Sequence, residues 1–210
     1  MLDQYLQVAQ IALRPEGVRI ELRLIPGVQV SERICALIDA DGDGQITTAE
    51  EQTYARRVLQ DIALTLNGLD TPLTLSKTQF PAKQEMREGL GTIRLTFVAA
   101  STFDAAGYQQ LHFRNSHQPE LGAYLVNALV PETSEIKISE QARDPLQREV
   151  RLSFQITPVN TGWQPGWKSM LMVCLCLLLF FSHRLASNKA WQFRPNRGKS
   201  AESEATVHSS

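Results

Sequence analysis

The chain has few cysteines and almost no net charge. Of its 210 residues only 3 are cysteine, and the formal net charge is −1. Cys174 and Cys176 lie in an apolar run, so Cys35 has no disulfide partner in the rest of the chain, and we expect it to pack in or near the core on a helix. Residues 1–166 carry 15 Lys+Arg against 20 Asp+Glu. That balance gives no basic surface for nucleic acid, so we expect no nucleic-acid partner.

The familiar motifs of catalytic sites are also missing. The sequence contains no nucleophile elbow, no glycine-rich phosphate loop and no zinc-binding histidine pair on a helix. His112 and His117 stand five residues apart near a predicted strand end, and imidazole suits nickel, copper or zinc. Two imidazoles without a nearby cysteine make a sparse site, and surface histidines are the ordinary interpretation. We therefore expect no enzyme, and transition-metal capture by this pair stays open as an alternative.

The chain does have a twelve-residue segment, Asp39–Glu50, that fills every position of an EF-hand calcium loop. Gly44 at position 6 permits the sharp turn, and Ile46 at position 8 is the apolar anchor. The alternative is an acidic, glycine-rich surface turn, which does not account for Ile46 or for the glutamate at position 12. We therefore predict Ca²⁺ as the cofactor. The predicted ligands are three carboxylates, a backbone carbonyl, a water-bridged hydroxyl and a closing bidentate carboxylate, from Asp39, Asp41, Asp43, Gln45, Thr47 and Glu50.

Apolar residues at helical spacing flank the loop on both sides. They predict a short entering helix that starts near Ser31 and a longer exiting helix whose apolar stripe runs from Ala49 through Tyr54 to Ile62. The whole insertion covers about residues 29–64. Sensor EF-hands come in pairs that open a Met-rich groove, whereas this sequence has a single loop. We therefore expect calcium to act as a structural clamp.

The rest of residues 1–160 predicts β-structure. Strict alternation of apolar and polar residues marks Val18–Leu24, Ile93–Phe97 and Val150–Ile156 as strands with one buried face. Asn67-Gly68 is a favoured pair for a tight hairpin turn. We expect a mainly β fold, an antiparallel β-sandwich with an inserted EF-hand helix–loop–helix. Further strand candidates are Tyr5–Leu13, Ile62–Leu66, Leu73–Ser76, Leu111–Arg114, Ala123–Leu129 and Glu135–Ile138.

A long apolar segment follows this domain. Met170–Phe181 is uninterrupted, and extension to Trp167–Ala186 gives the roughly 20 residues that a bilayer requires. Lys168 and Arg184 lie near the ends, where they can snorkel to the interface. The alternative is a buried core helix, but the centre of the segment is apolar on every helical face. We predict one transmembrane helix within residues 161–186.

The charges around this segment predict its orientation. Five Lys or Arg residues follow the uninterrupted run Met170–Phe181, and only Lys168 lies close before that run. By the positive-inside rule, residues 187–210 form a cytoplasmic tail, which we expect to be disordered, and residues 1–160 are extracytoplasmic. The predicted location is the cell membrane, with a single pass. Export calls for a signal sequence that Met1–Gln10 does not show, so we expect an upstream leader; the alternative is the opposite orientation.

A family resemblance is carried by the segments Leu2–Gln7, Val18–Val28, Asp39–Glu50 with Tyr54–Arg56, Asn67-Gly68, Phe113–Asn115 and Tyr124–Asn127. Together they resemble the extracytoplasmic N-terminal domain of bacterial hydrogenase/urease-accessory nickel–cobalt permeases. The resemblance covers about residues 2–157 and implies a bacterial β-domain that faces the envelope, as an accessory to a metal transporter. In that family a multi-helix permease follows, whereas here one predicted helix follows, so transport activity is not implied.

Two functional hypotheses come from these observations. The first is a membrane-anchored, calcium-binding module that is not an enzyme and that interacts with an envelope or transporter protein. The second is an accessory component of a nickel/cobalt transport system, in which His112 and His117 help to capture the metal. The first rests on a complete ligand set and the second on a sparse one.

Overall fold

The computed structural model describes residues 3–100 and 107–157, which all belong to one unit of the chain, Met1–Val159. The described residues form ten strands and three helices. In chain order these are β1 (Tyr5–Arg14), β2 (Gly17–Pro26), α1 (Val28–Ile38), α2 (Thr48–Gln60), β3 (Ile62–Leu66), β4 (Leu69–Asp70), β5 (Thr74–Gln79), α3 (Lys83–Arg87), β6 (Ile93–Ala100), β7 (Gly107–Asn115), β8 (Gly122–Ala128), β9 (Ile136–Arg143) and β10 (Glu149–Ile156).

The strands form two five-stranded sheets. Their orders are β5-β6-β2-β1-β8 and β4-β3-β7-β10-β9. The mainly β prediction is confirmed. The antiparallel prediction is wrong for one pair, because β1 and β8 run parallel, with Tyr5 opposite Gly122 and Ile11 opposite Ala128. Alternation of apolar residues specifies which face of a strand is buried, but it does not specify the neighbouring strand.

Alternation places one face of each central strand in the core. Every second residue of β1 is buried, from Tyr5 to Leu13, and β2 follows the same rhythm from Val18 onward. Buried side chains from both sheets and from all three helices make up a single hydrophobic cluster. Cys35 on α1 belongs to it and is 1 % exposed, so its predicted packing role is confirmed.

The helices differ from the prediction at their ends. Helix α1 begins at Val28, three residues before Ser31. Its N-cap is Gly27, which has no side chain to cap the helix. The Ser31 hydroxyl instead donates to the Val28 carbonyl within the helix, at 2.8 Å. Helix α2 ends at Gln60, so Ile62 belongs to β3 and not to the helical stripe. The short helix α3 was not predicted. It buries one residue, Met86, so its sequence has no repeating apolar pattern that would indicate a helix.

The predicted hairpin turn is confirmed. Strands β3 and β4 pair with Leu66 opposite Leu69. Asn67 and Gly68 between them have φ angles of 52° and 79°, the left-handed pair that tight hairpins favour. Among the described residues no helix is both long and apolar enough to span a membrane. The predicted transmembrane segment at 161–186 and the tail at 187–210 lie outside the described residues.

Candidate metal centre

The predicted calcium loop connects the C-terminus of α1 to the first turn of α2. Asp39 is the C-cap of α1, Thr47 is the N-cap of α2, and Glu50 is the third residue of α2. Gly42 and Gly44 have φ angles of 73° and 89°, and a Cβ at either position would meet no atom within 4 Å. Glycine is therefore required here by the backbone conformation and not by lack of space.

Three of the predicted ligands converge. The carboxylates of Asp39, Asp41 and Asp43 each offer an oxygen, and these oxygens all lie within 4.8 Å of one another. Calcium binds oxygens at about 2.3–2.6 Å, so two oxygens on one ion are separated by at most about 5 Å. The spacing of the three carboxylates therefore fits one shared cation.

Backbone hydrogen bonds orient each of these carboxylates. Gly44 N–H donates to Asp39 Oδ2 at 3.1 Å, Asp43 N–H donates to Asp41 Oδ1 at 3.2 Å, and Gln45 N–H donates to Asp43 Oδ1 at 2.7 Å. Each bond engages one oxygen of its carboxylate. These bonds therefore restrict how each carboxylate can rotate.

Glu50 does not join the three-carboxylate cluster but links the two ends of the loop. Its Oε1 accepts from Ala40 N–H at 2.8 Å, and its Oε2 accepts from both the backbone N–H and the hydroxyl of Thr47, each at 2.9 Å. These bonds, led by that of the Thr47 backbone, lower the pKa of Glu50. The structure therefore places the predicted twelfth ligand next to the acidic cluster as a carboxylate that bridges the loop ends.

Asp39 is the buried member of the three-carboxylate cluster. Its side chain is 2 % exposed, and its Oδ1 is buried without a hydrogen-bond partner among the described residues. Its Oδ2 accepts from Gly44 N–H and from the Lys83 ammonium. Lys83 holds the pKa of Asp39 below its ordinary value, against the opposing effect of burial. An unsatisfied buried oxygen normally costs about 1–3 kcal/mol, and a bound cation would remove that cost.

The two histidines of the alternative hypothesis occupy different surroundings. His112 lies on β7, and its Nε2 is 3.0 Å from Glu149 Oε2. His117 is fully buried, which corrects the surface interpretation. Its Nδ1 lies 2.7 Å from Asp61 Oδ2 and its Nε2 lies 3.0 Å from the Tyr54 hydroxyl. Both ring nitrogens of His117 are therefore engaged within the protein.

His117 is the centre of a buried polar network that the sequence did not indicate. The Tyr5 hydroxyl lies 2.7 Å from the Tyr54 hydroxyl. The His117 carbonyl accepts from Gln7 Nε2 and from the Tyr124 hydroxyl, each at 2.7 Å. Burial lowers the pKa of His117 and raises that of Tyr54. These groups join α2, β1 and the segment after β7, and no local sequence pattern marks partners so far apart in the chain.

Comparison of the chain with protein-family models, with curated proteins and with solved structures finds no match. The resemblance to the domain of nickel–cobalt permeases therefore stays a prediction from the sequence. The functional interpretation below rests on the geometry of the loop and its surroundings.

Proposed function

We propose that this chain is a membrane-anchored calcium-binding protein whose loop Asp39–Glu50 uses the ion as a structural clamp. The observation that carries the proposal is the buried, unpartnered Oδ1 of Asp39 beside the carboxylates of Asp41 and Asp43. Calcium is a hard cation that prefers six to eight oxygens. The loop offers these carboxylates, the Glu50 carboxylate and the Gln45 carbonyl within twelve residues.

The clamp would act on the angle between α1 and α2. Asp39 ends α1 and Glu50 lies in the first turn of α2, so an ion bound by both would fix the two helices. Helix α2 in turn buries Tyr54 and Val58 in the shared core. Binding to the folded state alone stabilises a protein by about 2.7 kcal/mol at a hundredfold excess of ligand over Kd.

The proposal includes the architecture and the location. The two sheets are the layers of a β-sandwich. Their shared hydrophobic cluster supports this arrangement. A hydrogen bond also joins the sheets, because Asn115 Nδ2 on β7 donates to Gln7 Oε1 on β1 at 2.9 Å. The apolar segment at 161–186 anchors this extracytoplasmic domain to the cell membrane. The module is a non-catalytic one that docks a protein of the envelope, and its near-neutral charge disfavours nucleic acid.

The test is thermal unfolding of the full chain in mild detergent, first with EDTA and then with millimolar calcium, magnesium or nickel. We expect calcium to raise the Tm by several degrees, with a smaller effect of magnesium. Glu50→Gln should remove most of the calcium-induced rise. Glu51→Gln is the matched control, because it makes the same charge change one residue outside the loop and should keep the full rise.

Two outcomes would contradict the proposal. The clamp is wrong if calcium leaves the Tm unchanged, or if Glu50→Gln and Glu51→Gln respond to calcium alike. A rise with nickel that exceeds the rise with calcium would favour the transporter-accessory hypothesis instead. His112→Ala would then show whether that histidine takes part in nickel binding.

A further inference from the structure

Lys83 brings a positive charge to the loop from a distant part of the chain. It lies 44 residues after Asp39, on α3, and its ammonium forms an ion pair with Asp39 Oδ2. The side chains of Lys83 and Asp39 are 17 % and 2 % exposed. This is not an ordinary surface pair, because water can screen it only in part.

Packing anchors helix α3, and this places the Lys83 ammonium beside Asp39. Met86 on α3 is fully buried. At the end of the helix opposite Lys83, Arg87 pairs with Glu32 of α1, and Arg87 Nε lies 2.7 Å from Glu32 Oε1. A Cβ on Gly91, just after the helix, would lie 2.8 Å from the Met86 backbone nitrogen, so the chain is tightly packed there. Lys83 is therefore held at the first ligand of the loop by packing.

We propose that Lys83 is a built-in counter-cation that weakens calcium binding by the loop. The inference rests on the proposed function and adds a residue that sets its affinity. Lys83 neutralises part of the negative charge when calcium is absent. When calcium binds, the ion and the ammonium face the same carboxylate and repel each other.

The geometry allows both cations at once. Gly44 N–H and Lys83 occupy Oδ2 of Asp39, and Oδ1 has no hydrogen-bond partner among the described residues. An ion on Oδ1 would thus sit across the carboxylate from the ammonium. A single charge about 6 Å from a divalent ion changes its affinity by about tenfold even at the dielectric constant of water. The effect should be at least that large beside the buried Asp39.

The rival interpretation is that Lys83 only positions Asp39. In that case its loss would free the carboxylate to rotate, and calcium would bind more weakly. The two interpretations predict opposite signs for the same substitution. Lys83→Gln separates them, because it removes the charge and keeps a hydrogen-bond donor on a side chain only one bond shorter.

The experiment is calorimetric titration of the full chain with calcium, comparing the wild type with Lys83→Gln, Lys83→Arg and Arg87→Gln. We expect Lys83→Gln to lower the Kd by about tenfold, and Lys83→Arg, which keeps the charge, to stay within about twofold of wild type. Arg87→Gln is the matched control: it removes one positive charge from the same helix, at a pair with α1 and not with the loop. Its Kd should also stay within about twofold of wild type.

A second measurement guards against a folding defect. In EDTA, Lys83→Gln should have a lower Tm than wild type, because the buried Asp39 loses its charged partner. Saturating calcium should close most of that gap. The calcium-induced rise in Tm is therefore larger for Lys83→Gln than for wild type, and this difference is measurable even if the variant is less stable.

The outcomes separate this inference from the proposed function. If wild type binds calcium and Lys83→Gln binds equally or more weakly, the counter-cation role is wrong and the calcium site stands. If wild type gives no heat but Lys83→Gln binds, the proposed function fails for the wild-type protein, while the counter-cation role of Lys83 is supported. If neither binds, both proposals fail.

Discussion

The phenolic oxygens of Tyr5 and Tyr54 lie 2.7 Å apart in the core, where the two residues are 0 % and 2 % exposed. Tyr5 opens β1, and Tyr54 lies one turn beyond Glu50 on α2. The exiting helix of the loop is therefore hydrogen-bonded to the first strand of a sheet. This contact explains how an ion at the loop could stabilise more than the loop itself.

Removal of the Tyr54 hydroxyl should cost more than removal of the Tyr5 hydroxyl. The Tyr54 hydroxyl contacts both Tyr5 and His117 Nε2, whereas Tyr5 has Tyr54 as its hydrogen-bond partner. Tyr54→Phe leaves two buried polar groups unpaired, and we expect it to lower the free energy of unfolding by about 2–4 kcal/mol. Tyr5→Phe should lower it by about 1–2 kcal/mol. Urea unfolding in EDTA measures both values.

The double variant provides the control for that comparison. Once Tyr54 has become phenylalanine, the Tyr5 hydroxyl has lost its partner, so adding Tyr5→Phe should cost nothing further or should restore stability. Losses that simply add in the double variant would show that the two hydroxyls act independently. The hydrogen bond between them would then contribute little to stability.

The stability of the protein should fall in mild acid because of His117. Burial lowers the pKa of His117 in the folded state, while Asp61 opposes that shift and Arg57 supports it. In the unfolded chain the pKa is about 6.5, so below this pH the unfolded chain binds more protons. The stabilisation is complete above about pH 6.5 and is lost as the pH falls toward the folded pKa, with a slope of at most about 1.4 kcal/mol per pH unit.

His117→Gln isolates this contribution. Glutamine cannot titrate, so the variant should be less stable at pH 7.5 but should lose less stability than wild type between pH 7 and pH 5. Chemical unfolding at several pH values gives both slopes. Equal slopes for the two proteins would assign the acid sensitivity to other groups.

Much of the fold follows from the sequence, whereas the surroundings of the loop do not. Alternation identified β2, β6 and β10 because each strand buries one face. The parallel pairing of β1 with β8 was missed because it joins segments more than 100 residues apart. Lys83 was missed for the same reason, since its role depends on packing of α3 and not on any spacing near the loop. The loop itself was identifiable because its predicted ligands lie within twelve residues.

Gly91→Ala should destabilise the protein through steric overlap. The added Cβ would lie 2.8 Å from the Met86 backbone nitrogen and 2.9 Å from Pro81 Cγ. Backbone atoms in a packed segment cannot move freely, so we expect a loss of about 1–3 kcal/mol. Gly44→Ala is the contrasting variant, because its Cβ would meet open space but its φ of 89° strains any other residue, by about 1–2 kcal/mol.

Calcium distinguishes these two glycine variants. Gly44 lies inside the loop, so Gly44→Ala should also raise the Kd for calcium. Gly91→Ala should lower the Tm by a similar amount with and without calcium, provided that α3 stays docked. A calcium-induced rise in Tm that is unchanged in Gly44→Ala would show that the turn at position 6 is not part of the site.

Thr47 should stabilise helix α2 whether or not calcium is bound. Its hydroxyl accepts from Glu50 N–H at 3.4 Å, and Glu50 Oε2 accepts from Thr47 N–H in return at 2.9 Å, which together form a capping box. Thr47→Ala removes the hydroxyl and should lower the free energy of unfolding in EDTA by about 1 kcal/mol, whereas Thr47→Ser should retain most of the capping. In calcium the Thr47→Ala loss should persist, since the backbone N–H groups of the first turn still need an acceptor. If Thr47→Ala and Thr47→Ser were equally stable in EDTA, the hydroxyl would have no capping role, and the order of the first turn would depend on the Glu50 carboxylate alone.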